Sequence, residues 1–365
     1  MLDPNRPIRE ADIDDLGPFQ SAGKDWYDGY PKSRGAMRRR EFVSLLGGGV
    51  AAWPLMARGQ QRDRVRQIGL LSPFSENDPE TKARLAAFKE RLEQLGWTDG
   101  RNIKIEYRFS EGNIERTRTA AAELVALTPD VIVAYANPAV SALKPITSTI
   151  PIVFTQVSDP VGSGFVTDLA HPGGNITGFH SFEPAIGGKW LELLKEIAPS
   201  VRRAAVVHDP RIAANVSFLR AAESASSSLG VTVTPAGVTN AADIEREITA
   251  FAQEPNGGLV VAPAPATFDR RDLIIALAEQ WRLPAIYSYR FNVKSGGLVS
   301  YGYEGLEQFQ QAATYVDRIL RIAKPDALPL QLPSKYQLVV NLKAAKAIGL
   351  TIPPAVLARA DEVIE

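Results

Sequence analysis

The sequence predicts an α/β protein of two similar lobes, each a parallel β-sheet flanked by helices. Three observations carry this. Short apolar runs alternate with stretches of helical period. The order β-α-β-α-β-α-β occurs once and then recurs. The entry to the fourth strand also repeats, since Ile150-Pro151-Ile152-Val153-Phe154 matches Leu283-Pro284-Ala285-Ile286-Tyr287. Repeated strand-helix order calls for parallel sheets joined by right-handed crossovers.

The first strand is Arg66-Gln67-Ile68-Gly69-Leu70-Leu71, which stops at Ser72-Pro73. The helix that follows is well punctuated: Asp78 is an N-cap, Pro79 takes the first helical position, and Gly96 closes it after the stripe Leu85, Phe88, Leu92, Leu95. Ile103, Ile105, Tyr107 and Phe109 alternate with polar neighbours as a strand, Asn113 to Leu127 has helical period, and Val131-Ile132-Val133-Ala134 is a buried strand. A short helix from Ala139 leads to Ile152-Val153-Phe154. In the second set, Ala205-Val206-Val207 precedes a helix from Asn215 to Leu229 closed by Gly230. Val231-Thr232-Val233, a helix over Ala242 to Gln253, Leu259-Val260-Val261-Ala262, a helix over Arg270 to Trp281 and Ala285-Ile286-Tyr287 follow. Beyond Gly296-Gly297-Leu298-Val299-Ser300-Tyr301-Gly302 an amphipathic helix from Leu306 to Ala323 shows Phe309, Ala313, Val316 and Leu320 on one face. The economical topology returns this helix to the first lobe. Lobe 1 then comprises residues 60–178 with about 300–328, and lobe 2 comprises 179–299 with about 329–365. The peptide after Gly178 and the strand around Ser300 become crossings of a hinge.

Before the first strand, Arg38-Arg39-Arg40-Glu41-Phe42 leads into an apolar run diluted by Gly47, Gly48 and Gly49, too short to span a bilayer, that ends at Ala57-Arg58-Gly59. Residues 37–59 resemble a twin-arginine signal peptide with cleavage near Gln60, and the expected start is Met37, with Arg38 where Ser or Thr is usual. Residues 1–36 read as an upstream extension or disordered tail. Export to the periplasm follows as an expectation. About 300 residues remain, which at ~100–200 residues per domain means two lobes. Lys plus Arg (41) equals Asp plus Glu (41), so no global field draws in nucleic acid, and no basic stripe is interleaved with aromatics. Cysteine is absent, which excludes disulfides, thiolate metal sites, a cysteine nucleophile and a lipid-anchoring cysteine.

Catalytic patterns are scarce. His171, His180 and His208 lack metal-ligand spacing, Gly162-Ser163-Gly164 is not a nucleophile elbow, and Gly187-Gly188-Lys189 is followed by Trp190 rather than Ser or Thr. Leu71-Ser72-Pro73-Phe74 has no glycines for a dinucleotide. No catalytic residue, metal or cofactor is expected. Ligands of parallel sheets gather at the carboxyl ends of strands. The candidate ligand-binding residues there are Ser72, Phe74, Asn137, Thr155, Asp159, Pro263, Tyr287 and Tyr301, which suit a small polar solute with an aromatic or branched apolar part. Asp159 has no Lys or Arg nearby in sequence, so it is a candidate acceptor for a ligand ammonium. On that reading Asp159→Asn weakens binding by ~2–5 kcal/mol.

Ser158-Asp159-Pro160-Val161 with His171-Pro172-Gly173-Gly174-Asn175-Ile176-Thr177-Gly178, the segment from Gly296 to Gly302, Ala312 to Leu320, Asn341 to Lys346 and Leu357 to Glu362 resemble a bacterial family of ABC-transporter substrate-binding proteins, often labelled tryptophan/tyrosine transport components. The resemblance runs from Arg38 to Glu365. His208-Asp209-Pro210 departs from it, where Asn-Pro is associated with the family. The resemblance implies two Rossmann-like lobes of the periplasmic-binding-protein type I kind, with a ligand cleft between them. It also implies a monomer that passes a small molecule, such as an aromatic or branched amino acid or related carboxylate, to an inner-membrane permease. The rival readings are an exported α/β enzyme using the same cleft and a ligand-binding partner of a membrane sensor.

Overall fold

A computed structural model describes residues 64–365 except Ser334. The expected extension over 1–36, the signal over 37–59 and the cleavage near Gln60 lie outside these residues. The first sheet is all parallel, with strands β1 (Arg66–Ser72), β2 (Ile103–Phe109), β3 (Val131–Tyr135), β4 (Ile152–Val157) and β5 (Ile176–His180) in the order β2-β1-β3-β4-β5. Helices α1 (Pro79–Gln94), α2 (Ile114–Ala126) and α3 (Ala136–Leu143) make its crossovers. Helix α1 starts where its chemistry dictates: the extended Asp78 accepts from the N–H groups of Glu80 (2.9 Å) and Thr81 (3.1 Å), and Pro79 loses no hydrogen bond at the first position. The face it buries is Thr81, Arg84, Phe88 and Leu92, with Leu85 and Leu95 half-buried at its border. This corrects the stripe read from the apolar residues alone, and places a charged side chain inside.

The second sheet holds β6 (Arg203–His208), β7 (Thr232–Gly237), β8 (Gly257–Val261), β9 (Ala285–Tyr287), β10 (Val299–Gly302), β11 (Gln337–Asn341) and β12 (Glu362–Ile364), in the order β12-β11-β10-β9-β8-β6-β7. Its strands run parallel except at the β10–β11 pair. Around it lie α4 (Ile186–Ile197), α5 (Ala213–Leu229), α6 (Ala241–Phe251), α7 (Pro265–Asp269), α8 (Arg271–Gln280) and α9 (Arg290–Lys294). Helices α10 (Gly305–Arg321), α11 (Leu342–Ala347) and α12 (Pro354–Leu357) complete the chain. The two α/β sheets with mostly parallel strands bear out the fold class.

Several elements differ from the sequence reading, among them α4, α9 and β12, which it did not contain, and two of the differences have a local cause. Strand β5 was not anticipated because Gly178 (φ 150°) interrupts it. The glycine is required there, since a Cβ would overlap the Phe154 carbonyl where β4 shifts register. Pro263-Ala264-Pro265, read as a loop, runs into α7, because a proline in the first turn is already in helical φ.

The chain passes between the sheets three times: after β5, after β10, and between Gln331 and β11. Strand β10, which contains Ser300, pairs with β9 and β11 in the second sheet, and α10 then lies on α1 and on β3, β4 and β5 of the first. On the return, Gln331 is hydrogen-bonded to Gly178 and His180. One apolar core runs through both lobes, from Ile68 and Phe88 to Trp190 and Phe218. Smaller cores cover the far face of each sheet.

Candidate functional site between the two sheets

The carboxyl ends of β1, β3 and β4 face those of β8 and β9 across a chamber walled by aromatic rings. Phe74 lies 4.4 Å (ring centroids) from Tyr135 of its own lobe and 4.4 Å from Phe268 of the other. Phe268 packs on Phe291 (4.8 Å), Phe291 on Tyr289 (5.3 Å), and Tyr289 near Tyr303 (5.9 Å). Among them sits Arg84, 2 % exposed, which donates to the Tyr135 hydroxyl at 2.5 Å and lies 5.1 to 5.9 Å from the rings of Phe268, Phe291, Tyr289 and Tyr135. Burial pushes the phenol of Tyr135 well above its usual pKa, so it stays protonated.

Outward from these rings is a cavity of about 20 Å3, lined by Phe74, Asn137, Ser158, Pro263, Phe268 and Tyr289 among others. A water needs ~10–15 Å3, so this space holds a water and not an indole. Further out, past Asn137, Ile212 and Pro265, a cavity of about 220 Å3 opens between the lobes beside Ser163 and Arg211. Two polar bridges join the lobes. Arg271 Nη1 on α8 meets Asp78 Oδ2 at the cap of α1 (2.6 Å, both side chains largely buried), and the Ser217 hydroxyl on α5 donates to Asp159 Oδ2 (3.1 Å). Beside the first of them, burial and then the neighbouring Asp78 raise the carboxyl of Asp269 to about 6.

Backbone strain marks the same place. Ala136 (φ 62°), Gln156 (φ 56°) and Asp159 (φ 44°) take left-handed conformations at the ends of β3 and β4. Such residues cost of order 1–3 kcal/mol each and persist where the surroundings over-determine them, which is common at ligand sites. Gln156 is held by Gln308, whose Oε1 accepts from the Gln156 N–H (3.1 Å) and whose Nε2 donates to the His180 carbonyl (2.9 Å). Burial lowers the His180 imidazole to about 4, against a smaller opposing pull from Asp159, and neither ring nitrogen has a hydrogen-bond partner among the described residues. No group of three or more His, Asp or Glu among the described residues could hold a metal.

Of the candidate residues, Phe74 walls the chamber, and Asn137 and Pro263 line the small cavity. Asn137, in the first turn of α3, also ties that helix to the loop after β4, accepting from the Ser158 N–H (2.9 Å) and donating to its carbonyl (2.7 Å). Ser72 turns the chain, its hydroxyl accepting from the Phe74 N–H (3.2 Å). Thr155 is fully buried with its hydroxyl unpartnered. Both carboxylate oxygens of Asp159 are engaged, by the Gly162 N–H (3.0 Å) and by Ser217. Tyr287 lies apart, in the core on the far face of the second sheet, and Tyr301 stacks on Tyr336 (5.7 Å) behind the chamber. Arg84, Tyr135, Phe268, Phe291 and Tyr303 were not among the candidates. The one available signal was Arg84, four residues before Phe88 on a helix face that had to be buried.

A chamber closed by two Rossmann-like lobes has close parallels. A conserved domain protein of Vibrio cholerae is similar in structure (TM-score 0.77, 31 % identity, covering 82 % of this chain and 100 % of that one). The ABC domain of a Streptococcus pneumoniae protein in complex with L-Trp is similar too (TM-score 0.75, 26 % identity, 82 % and 99 % covered). In sequence, a tyrosine-binding protein of Clostridioides difficile is 23 % identical over 334 residues, 86 % of this chain and 94 % of that protein. The family model described as ABC transporter substrate binding protein matches residues 73–364, a span that takes in every wall of the chamber, and the chain belongs to that family.

Proposed function

We propose that this protein is the extracytoplasmic solute-binding component of an ABC importer. It captures a small organic solute with an aromatic part between two hinged lobes, hands it to a permease in the inner membrane, and performs no catalysis. The observation that carries this reading is the interlobe chamber, in which Phe74 of one lobe meets Phe268 of the other. An aromatic ligand fits such walls, because each stacked or edge-on ring pair adds ~0.5–1.5 kcal/mol beyond its buried area. The tryptophan-bound and tyrosine-binding relatives support an aromatic ligand, with an aromatic amino acid or a related carboxylate as the class. On this reading the lobes move as rigid bodies about the three crossings, the protein is a monomer, and the arginine motif at Arg38 sends it to the periplasm.

The test is a thermal-shift screen of amino acids, small carboxylates and aromatic acids, followed by recovery of the ligand. Ligand at a hundred times its Kd adds ~2.7 kcal/mol and raises Tm, and it should be recovered chemically unchanged. A converted ligand would favour an enzyme instead. Absence of any stabilising solute would remove the binding reading altogether.

A further inference from the structure

We propose that the solute is an aromatic carboxylate without an α-ammonium group, and that Arg84 together with the Tyr303 hydroxyl is its anion receptor. This rests on the chamber being the ligand site. The guanidinium of Arg84 is almost wholly out of water, yet its nearest carboxylate is Glu80 Oε2 at 3.8 Å, which is itself about a third exposed. Nη1 is spent on Tyr135, while Nε has no partner among the described residues. Tyr303, 3 % exposed, holds its hydroxyl near that of Tyr289 without meeting it in hydrogen-bond geometry. A buried cation with one distant counter-charge, next to a buried hydroxyl with no partner, is an arrangement that a bound anion completes.

The Nε/Nη2 edge of Arg84 faces the first residue of α10 at close range. A Cβ on Gly305 would overlap Gln156 Nε2 and come to 3.1 Å from Arg84 Nε and 3.2 Å from Nη2, so only glycine fits beside that edge. Gly305 is the first residue of the 17-residue helix α10, whose N-terminus is capped by the Glu304 side chain, accepting from the Leu306 N–H (3.4 Å). The Nε/Nη2 edge is the fork that pairs with a carboxylate bidentately.

The chamber offers an ammonium much less. Asp159 is satisfied by Gly162 and Ser217, Asp78 by Arg271 and the cap of α1, and Asp209 by Arg211. Asp269, with Oδ1 unpartnered, and Glu80, held by Arg84 only at 3.8 Å, are the remaining candidates; the first sits beside the charge of Asp78 and the second beside that of Arg84. The rings around Arg84 then select a planar apolar body, and the guanidinium selects its acid group.

The experiment is calorimetry on the purified protein with 4-hydroxybenzoate, 3-phenylpropionate and indole-3-acetate beside L-Tyr, L-Phe and L-Trp. At least one acid should bind, and its matched amino acid should bind at least about tenfold more weakly. Tyr303→Phe, which keeps the ring, should weaken the acid about tenfold, and Arg84→Lys about a hundredfold, with Tm of the free protein holding in Tyr303→Phe. An amino acid that binds more tightly than its acid overturns the inference, most directly if Asp269→Asn abolishes it. So does unchanged acid affinity in Tyr303→Phe and Arg84→Lys. A sugar or other neutral solute that compacts the molecule in small-angle scattering, with no acid bound, overturns the inference while leaving the hinged-binding reading intact. No solute changing Tm or radius of gyration removes both.

Discussion

His180 and Asp269 are buried titratable groups whose effects on stability run in opposite directions. The His180 pKa falls from 6.5 to about 4 on folding, so the unfolded chain takes up a proton in that window that the native one refuses. Stability from His180 is therefore lost as pH falls from 6.5 to 4, by about 3 kcal/mol in all. Asp269 rises from 3.8 to about 6, so the native state holds the proton first and gains a similar amount as pH falls through the same range. In the wild-type protein these two contributions should nearly cancel between pH 6.5 and 4. His180→Gln should grow more stable towards acid relative to wild type, and Asp269→Asn less so. Calorimetric scans at pH 7, 6, 5 and 4 check this, and parallel curves for all three proteins would show that neither group titrates as stated. Residue-scale chemistry was the least legible part of the sequence. Tyr287 ends a strand, which suggests a cleft residue, but alternation along β9 sends Ala285 and Tyr287 to the far face; Tyr289 reaches the chamber because the strand has ended and the chain turns there into α9. The place of Arg84, four residues before Phe88, hints that it is buried, but its role is not legible locally because nothing within α1 itself requires a charge inside. It is buried by α10, over two hundred residues away.

Elements were far more legible, for the reason that their signals are local. Asp78-Pro79 fixed the start of α1, Asn113 and Leu127 are the caps of α2, and Gly230 closes α5 in a left-handed turn. What failed were segments whose state depends on a neighbour, such as β5, which is a strand only because β4 receives Gly178 at close range. One pairing of elements has a direct consequence. The cap of α1 and the first turn of α8 are held by Arg271 and Asp78, a contact that exists only with the lobes together. Arg271→Gln leaves the cap itself intact, removes the cross-lobe charge pair, and should shift the free protein towards open forms. The larger radius of gyration in scattering would be reversed by saturating ligand, with affinity reduced about tenfold or more. An unchanged radius and affinity would show that the rings alone keep the lobes together.

At the scale of the whole molecule, the inner cavity of about 20 Å3 means that a ligand of aromatic size enters only after the lobes part. Binding should then be gated. Stopped-flow traces of ligand uptake should level off at high ligand concentration, at the rate of opening, rather than rise without limit. A linear rise to millimolar ligand would mean that the site is reached in the closed form.

The threefold passage of the chain between the sheets also governs how the molecule can be made. The first lobe begins with β1 at Arg66 yet receives α10 and Gln331 near the end of the chain, so it is unfinished until almost every residue has left the ribosome. Until then the face of α1 bearing Phe88 and Leu92 stays uncovered, a segment prone to association. A chain ending at residue 302 should consequently aggregate or be degraded. Supplying the missing segment, 303–365, as a separate polypeptide during refolding should recover soluble protein, measured by the amount surviving centrifugation. A stable, soluble fragment without that segment would show that the first lobe folds on its own as synthesis proceeds, from the N-terminal side.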